Sequence, residues 1–314
     1  MPAPRITTPG IYADVSFPAY REDPCPLPSL SSGIAGLLVG RSPRHAWHGH
    51  PRLNTMREER DPSPEMEEGT VLHGLVLGTP LDVVEVDETS WRSKAAQEER
   101  AAARARGALP VLGHRMAELE RCARAVREQL ADHLDWPDAL ADGRPEVTLA
   151  WREGAIWCRA RVDWLKRDPA APLFDLKSTS GSAAPETWER RLRDEYALQA
   201  AFYCRGARAL GLRPPGMVFV VCETDAPYGL CLFQPDPGLV AVAERRVEEA
   251  IALWAECLRT DRWPGYPRRV CHVEAPGWML MQHEERESRA RQERHPGPSI
   301  LDRFTPPRFA EIVS

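Results

Sequence analysis

Apolar residues change their spacing along the chain near residue 145. Before this point they recur mainly every three or four positions, which is the spacing of one helix face. From residue 146 to 151 they alternate with polar or small residues, and this period of two is typical of a strand. A turn at residues 152–154 then predicts a hairpin whose second strand covers residues 156–165.

The rest of the pattern predicts three further strands and seven helices. The strands are expected at residues 172–178, 217–222 and 229–233. Helical spacing, capping residues and helix breakers place the helices at residues 29–39, 43–50, 66–77, 92–106, 109–134, 187–210 and 239–258. Residues 1–28 are expected to be extended, 54–65 to form a loop, and the highly charged residues 283–314 to form a flexible tail.

Two charged side chains share one face of strand 172–178. Asp175 and Lys177 are two residues apart, and side chains on a strand alternate between its faces. Asp163 lies near the end of the preceding strand, and the short link predicts that these two strands are antiparallel neighbours. The carboxylates of Asp163 and Asp175 would then lie side by side on a face open to water. Such an acid pair is costly unless a cation neutralises it, and hard oxygen ligands indicate Mg²⁺ or Mn²⁺.

Three more side chains share the strand face of Asp163, namely Trp157, Arg159 and Arg161. We expect these residues to be candidates for contacts with phosphate groups, Arg159 and Arg161 above all. Arginines on a solvated surface are about as common as arginines that bind a ligand. The alternative that Arg159 and Arg161 are ordinary surface residues therefore stays open.

Lysine is rare in this chain, which has 41 basic residues of which only Lys94, Lys166 and Lys177 are lysines. A compact ammonium beside a metal-binding carboxylate suits a metal-dependent nuclease, although an Asp-x-Lys sequence also arises by chance. None of the three lysines follows a glycine, so the chain has no phosphate-binding loop of the Gly-Lys-Ser/Thr type. We therefore expect no dependence on ATP.

Composition narrows the class of protein further. The net charge is −5, yet residues 151–215 carry twelve basic and eight acidic residues, which favours a local groove for phosphate over general binding of polyanions. None of the eight cysteines forms a Cys-x-x-Cys pair, which argues against a zinc finger and an iron–sulfur cluster. Scattered cysteines, no secretion signal and no apolar run of membrane length predict a reduced, cytoplasmic protein without a membrane span.

Several short motifs occur in an order known from one nuclease superfamily. They are Leu30-Ser31-Ser32-Gly33 with Arg41-Ser42-Pro43, Gly69-Thr70-Val71-Leu72-His73, Glu146-Val147, Asp163, Asp175-Leu176-Lys177, and Gln199 with Tyr203. With these motifs the chain resembles the PD-(D/E)XK superfamily, and within it the RecB-type branch and the RecE-like phage and prophage exonucleases, a group that includes exonuclease VIII and lambda exonuclease. Val162 stands where the proline that names the superfamily would precede Asp163.

The resemblance implies a fold and a domain organisation. The fold is α/β (α+β), with a restriction-endonuclease-like core in which helices flank a central mixed sheet. Residues 1–140 would form an N-terminal helical region that carries the Gly-Thr-x-x-His motif, 141–265 the nuclease core, and 266–314 a C-terminal extension.

The resemblance also implies roles for individual residues. The metal ligands would be His73, Asp163, Asp175 and the backbone carbonyl of Leu176, while Lys177 would orient the attacking water. Gln199 and Tyr203, one helical turn apart, would orient the active site and the DNA backbone. Glu146 is an additional candidate, through a second metal ion or a hydrogen bond. Without the motifs, His73 would more often be an ordinary capped or core histidine, and Gln199 and Tyr203 ordinary helix-surface residues.

The activity implied is that of a Mg²⁺-dependent, ATP-independent DNA exonuclease, with Mn²⁺ able to substitute. It would degrade one strand from the ends of double-stranded DNA and expose single-stranded DNA for recombination by strand annealing, with a RecT-like annealing protein as partner. An endonuclease of the same superfamily that serves defence or repair, and a catalytically inactive DNA-binding module, are the alternatives. Lambda exonuclease and RecE work as toroids, so a homo-oligomeric ring of three or four subunits is also expected.

Overall fold

The computed structural model describes residues 6–56 and 61–294. Its strands are β1 (Gly10–Tyr12), β2 (Ser29–Leu30), β3 (Val83–Val86), β4 (Leu109–Leu112), β5 (Gly143–Glu153), β6 (Ile156–Lys166), β7 (Leu173–Thr179), β8 (Met217–Glu223) and β9 (Leu230–Phe233). Its helices are α1 (Phe17–Arg21), α2 (Ser32–Gly40), α3 (Pro43–Gly49), α4 (Pro64–Leu77), α5 (Lys94–Ala105), α6 (Gly113–Ala131), α7 (Pro185–Arg191), α8 (Ala197–Ala209), α9 (Pro237–Thr260) and α10 (Gly277–Arg294).

A mixed sheet forms the centre of the molecule. Its strand order within the described residues is β1-β5-β6-β7-β8-β9, and β2 pairs in addition with β6. The hairpin β5–β6 and the pairs β6–β7 and β8–β9 are antiparallel, whereas β7 and β8 are parallel. The parallel pair requires a crossover connection, which α7 and α8 supply. The predicted α/β (α+β) class with a central mixed sheet between helices is confirmed.

The long strand β6 is shared by two partners along one edge. The first half of β6 pairs with β2, through Ser29 opposite Trp157 and Leu30 opposite Cys158. Its far end pairs with β7 at one position, Trp164 opposite Phe174. β6 and β7 thus share few backbone hydrogen bonds. Beyond Phe174, the backbone groups on this edge of β7 are free to bond with side chains.

Helices cover both faces of the sheet. On one face, α2, α8 and α9 pack on apolar residues of β5, β6 and β8, around the large buried side chains Trp151, Phe202 and Trp254. On the other face, α4 and α6 pack on Phe174 and Leu176 of β7 and on neighbouring residues of β8. Because both faces of β7 are covered, the charged residues of this strand lie inside the protein and not on a face open to water.

The long helix predicted at residues 187–210 is interrupted in the structure. A π-helical turn, Leu192–Tyr196, separates α7 from α8. Such a turn contains one more residue than an α-helical turn, and therefore rotates the residues after it around the helix axis. Apolar spacing alone did not reveal it, because both α-helical parts keep a period near 3.6.

A second, two-stranded parallel sheet formed by β3 and β4 was missed by the sequence analysis. Residues 109–112 were assigned to the beginning of a helix, but the strand β4 covers them and α6 begins at Gly113. Four-residue apolar runs are too short to distinguish a strand from a helix by their period.

The chain divides into two compact units, Met1–Gly265 and Tyr266–Ser314. The regions predicted at 1–140 and 141–265 thus belong to one unit, since β1 and β2 join the main sheet. In the second unit, α10 covers residues that were expected to begin a flexible tail at 283. Residues 283–294 consist largely of Glu, Arg and Gln, and ion pairs such as His283–Glu287 and Arg291–Glu287 connect successive turns. The remainder of the predicted tail, 295–314, lies outside the described residues.

No helix in the described ranges combines the length and the apolar character that crossing a membrane would require.

Candidate active site

Strand β7 brings Asp175 and Lys177 to the face of the sheet that α8 covers. Asp175 is buried at 2% exposure, and its Oδ1 accepts a hydrogen bond of 2.6 Å from Nε2 of Gln199 on α8. The carboxylate also forms an ion pair with the ammonium of Lys177. The prediction that Asp175 lies on a face open to water is therefore wrong, because helices cover both sides of this strand.

Asp163 lies at the point where β6 and β7 separate. Its Oδ2 accepts a hydrogen bond of 2.8 Å from the backbone N–H of Leu176, and the same oxygen lies 3.7 Å from Nδ1 of His73. Glu146 on β5 is opposite Asp163, since the pairs on either side are Pro145–Trp164 and Val147–Val162. Burial, and then the neighbouring charge of Asp175, raises the pKa of Asp163 well above its ordinary value.

His73 reaches the site from α4, which lies on the other face of the sheet. Ser63 caps the start of this helix, and Gly78, whose φ of 70° suits a left-handed C-cap, follows its last residue. The buried Glu67 of α4 forms ion pairs with Arg100 and Arg104 of α5, which fixes the helix in position. The imidazole also hydrogen-bonds the backbone of Leu176, and burial lowers the pKa of His73. The ring is consequently neutral near pH 7 and able to bind a metal ion.

Lys177 is held by charge and by aromatic rings. Burial alone would lower its pKa, but the carboxylates of Asp175 and Asp163 outweigh that effect and raise the pKa above the ordinary value. The ammonium therefore remains charged. Its Nζ lies 5.0 Å from the ring centroid of Tyr196 and 5.8 Å from that of Phe219. Sequence reasoning missed both rings, because neither belongs to a motif.

Gln199 and Tyr203 share a side of α8 but differ in exposure. Gln199 contacts the carboxylate of Asp175, as described above. Tyr203 is 7% exposed, and its hydroxyl is engaged with the side chain of Ser32 on α2. Burial raises the pKa of Tyr203 well above its ordinary value, so its phenol stays protonated. Gln199 positions a site residue, while Tyr203 ties α8 to α2.

The two arginines predicted to contact DNA are enclosed by the N-terminal segment. Arg159 is 3% exposed, and its Nη1 lies 2.6 Å from Oγ of Ser29 and 3.2 Å from Oδ1 of the buried Asp23. Arg161 donates to the carbonyl of Val15 at 2.6 Å and pairs with Glu146. Trp157, on the same strand face, packs against Ile6 and Val15 at 4% exposure. The prediction that Arg159 is available to phosphates is therefore wrong, whereas Arg161 keeps 11% of its side chain exposed and stays a prediction.

The donor atoms at this site fit a divalent metal ion. Ligand atoms of His73, Glu146 and Asp163 all lie within 4.8 Å of one another. Asp175 adds a nearby carboxylate, and the backbone of Leu176 contacts both His73 and Asp163. Asp163, Asp175 and Glu146 face two cations, since Lys177 pairs with Asp175 and Arg161 pairs with Glu146. One carboxylate charge thus remains without a cation, in agreement with the raised pKa of Asp163. Oxygen donors with one neutral imidazole suit Mg²⁺ or Mn²⁺.

Comparison with known proteins agrees with this geometry. Residues 56–274 match the profile of a family described as "PDDEXK-like domain of unknown function (DUF3799)". The chain belongs to this family. The resemblance to PD-(D/E)XK nucleases, drawn from motifs between Leu30 and Tyr203, is thereby confirmed, and the matched residues include every proposed ligand.

A solved structure supports the same fold. It is the 2.19 Å crystal structure of a protein from Eubacterium rectale named "Putative exonuclease". The two chains share 12% sequence identity with a TM-score of 0.51, and the match covers 81% of this chain and 92% of the other. No curated protein sequence matches the chain. The fold and the family are those of a metal-dependent nuclease, that is, of a phosphodiester hydrolase.

Proposed function

We propose that this protein is a Mg²⁺-dependent, ATP-independent exonuclease that degrades one strand from the ends of double-stranded DNA. The observation that carries the proposal is the convergence of His73, Asp163, Asp175 and Lys177 from α4, β6 and β7 at one buried position. The single strand produced would serve recombination by strand annealing, with a RecT-like protein as partner, in the cytoplasm. The named exonuclease with the same fold favours attack from ends, although a fold alone does not determine function.

The side chains of the site divide the chemistry between them. His73, Asp163, Asp175 and the carbonyl of Leu176 would hold the metal ion, which supplies a more acidic water and a Lewis acid for the phosphate. Lys177 keeps its charge beside these carboxylates, and would orient the attacking water and stabilise the charge that develops on the phosphate. Hydrolysis adds the water oxygen to phosphorus, breaks one P–O bond of the backbone and returns a proton to the leaving oxygen.

Incubation of pure protein with linear and with covalently closed circular duplex DNA, without ATP, tests the proposal. We expect digestion of the linear substrate alone, with Mg²⁺ or Mn²⁺, and none in EDTA. Ca²⁺ accepts more ligands in looser geometry, so it should support DNA binding without cleavage. Cleavage of the closed circle would instead indicate an endonuclease, and binding without any cleavage an inactive DNA-binding module. Full activity in EDTA would contradict a metal-dependent mechanism.

We further propose that the active form is a homo-oligomeric ring of three or four subunits that encloses the duplex. The net charge of −5 gives one subunit weak retention on DNA at physiological salt, so processive digestion needs another means of retention. Directly after its first residue, the helix α10 carries four consecutive apolar residues, Trp278–Met281, that are 48–61% exposed and would suit a subunit contact. Light scattering measures the mass, and a processive protein near the chain mass of 35.3 kDa would exclude the ring.

A further inference from the structure

The ammonium of Lys177 has one carboxylate partner that the proposed metal ion would also use. Its ion pair is with Asp175, which is at the same time a proposed metal ligand. A carboxylate that binds one cation attracts a second cation more weakly. Among the described residues, the ammonium of Lys177 also lies over the aromatic rings of Tyr196 and Phe219, neither of which is a proposed metal ligand.

Tyr196 is itself fixed in place by its neighbours. Its ring stacks on the buried ring of Trp188, with centroids 5.6 Å apart and an interplanar angle of 11°. Its hydroxyl accepts a hydrogen bond of 3.3 Å from Nη2 of Arg191, and its ring lies 5.7 Å from that of Phe219. Tyr196 thus presents a rigid aromatic ring to the lysine.

The π-helical turn accounts for this placement. Eight residues of regular α-helix would put Tyr196 about 80° around the axis from Trp188. The extra residue of the π turn, which ends at Tyr196, brings the two rings back to nearly the same side, where they stack. Turns of this kind disrupt regular hydrogen bonding and recur at functional sites.

We propose that Tyr196 is a positioning residue that holds the ammonium of Lys177 in place for hydrolysis, through the face of its ring and not through its hydroxyl. A lysine has four rotatable side-chain bonds, so its point charge must be restrained to act at one phosphate. A tyrosine ring attracts an ammonium through its quadrupole, and this attraction is stronger where water is largely excluded. This inference rests on the proposed nuclease function of Lys177.

Kinetics of three variants separate the ring from the hydroxyl. We expect Tyr196→Leu to lower kcat roughly ten-fold, equivalent to about 1.4 kcal/mol, with KM little changed. Tyr196→Phe keeps the ring and should recover most of kcat. Tyr12→Leu, at a half-buried tyrosine of the edge strand β1, is the matched control, and thermal unfolding of each variant monitors folding.

A measurement without metal or DNA tests the contact directly. The chain has three lysines, so protein made with ¹³C-labelled lysine gives three Cε–Hε signals, and the one lost in Lys177→Arg belongs to Lys177. An aromatic ring shifts the NMR signals of protons that lie over its face upfield. The Lys177 signal should move downfield in Tyr196→Leu, should stay in Tyr196→Phe, and the signal of the exposed Lys94 should not change.

Different results overturn different claims. If the wild type is active while Tyr196→Leu has a normal kcat and an unmoved Lys177 signal, the positioning role alone is overturned. A raised KM with unchanged kcat would mean that Tyr196 binds DNA instead, from the groove of about 310 Å³ that it lines together with Gln199 and Arg246. Equal losses in the Leu and Phe variants would assign the role to the hydroxyl and also overturn the proposal. A wild type without nuclease activity refutes the proposed function, and the positioning role with it.

Discussion

Lys177→Met is expected to cleave linear duplex DNA about a thousand-fold more slowly than the wild type. The substitution removes the charge that stabilises the transition state while it keeps a side chain of similar length, and loss of one preorganised electrostatic contact typically costs about 10²–10³ in kcat. The side chain is only 21% exposed, so its charge acts in surroundings where water screens it weakly.

The matched control for this variant is Lys166→Met. Lys166 also forms an ion pair, with Asp138, and it also lies near an aromatic ring, that of Phe174. It lies at the end of β6, and its ion-pair partner, Asp138, is 61% exposed. We expect single-turnover rates of Lys166→Met to stay near those of the wild type. A folded Lys177→Met protein with the wild-type rate would remove Lys177 from the mechanism.

The alternation of strand residues predicted the centre of the site well. It placed Asp175 and Lys177 on one face, and the short link to Asp163 predicted antiparallel neighbours, which the pair Trp164–Phe174 confirms. A local pattern is sufficient there, because the residues belong to consecutive strands of the chain.

Contacts over long sequence distances could not be predicted in the same way. Arg159 has its partner at Asp23, 136 residues earlier, and nothing in the strand pattern says that an extended N-terminal segment will cover that face. The burial of Asp175 depends likewise on the helix that carries Gln199. Strand periodicity predicts which residues share a face, whereas tertiary packing decides whether the face meets water.

Motifs predicted the ligands but not the residues that restrain them. His73 and Asp163 were identified through short sequence patterns, and the structure brings them within 3.7 Å. Tyr196, which lies near Lys177, ends a π turn that changes its position around the helix axis, and no residue type marks such a turn reliably.

Asp163→Asn is expected to abolish metal-dependent cleavage and, at the same time, to stabilise the metal-free protein near neutral pH. The amide keeps an oxygen that can accept the hydrogen bond from the backbone of Leu176. It removes a buried negative charge that lies near Asp175 and Glu146, and this burial and crowding raise the pKa of Asp163. We expect a gain on the order of 1 kcal/mol in the free energy of unfolding, with nuclease activity reduced by about a thousand-fold or more.

The dependence on pH distinguishes this charge effect from better packing. Because the pKa of Asp163 is raised in the folded state, the native protein binds more protons than the unfolded chain. The contribution of Asp163 to stability is therefore present below the ordinary aspartate pKa of about 3.9, and is lost as pH rises through the folded pKa. The lowered pKa of His73 acts with the opposite sign, and contributes stability that is present above about pH 6.5 and is lost as pH falls through the lower folded pKa. The stability difference between variant and wild type should therefore grow with pH from about 4 upward. Urea unfolding in EDTA at several pH values measures this stability difference. A stability difference that does not change with pH would show that the charge of Asp163 does not destabilise the folded protein.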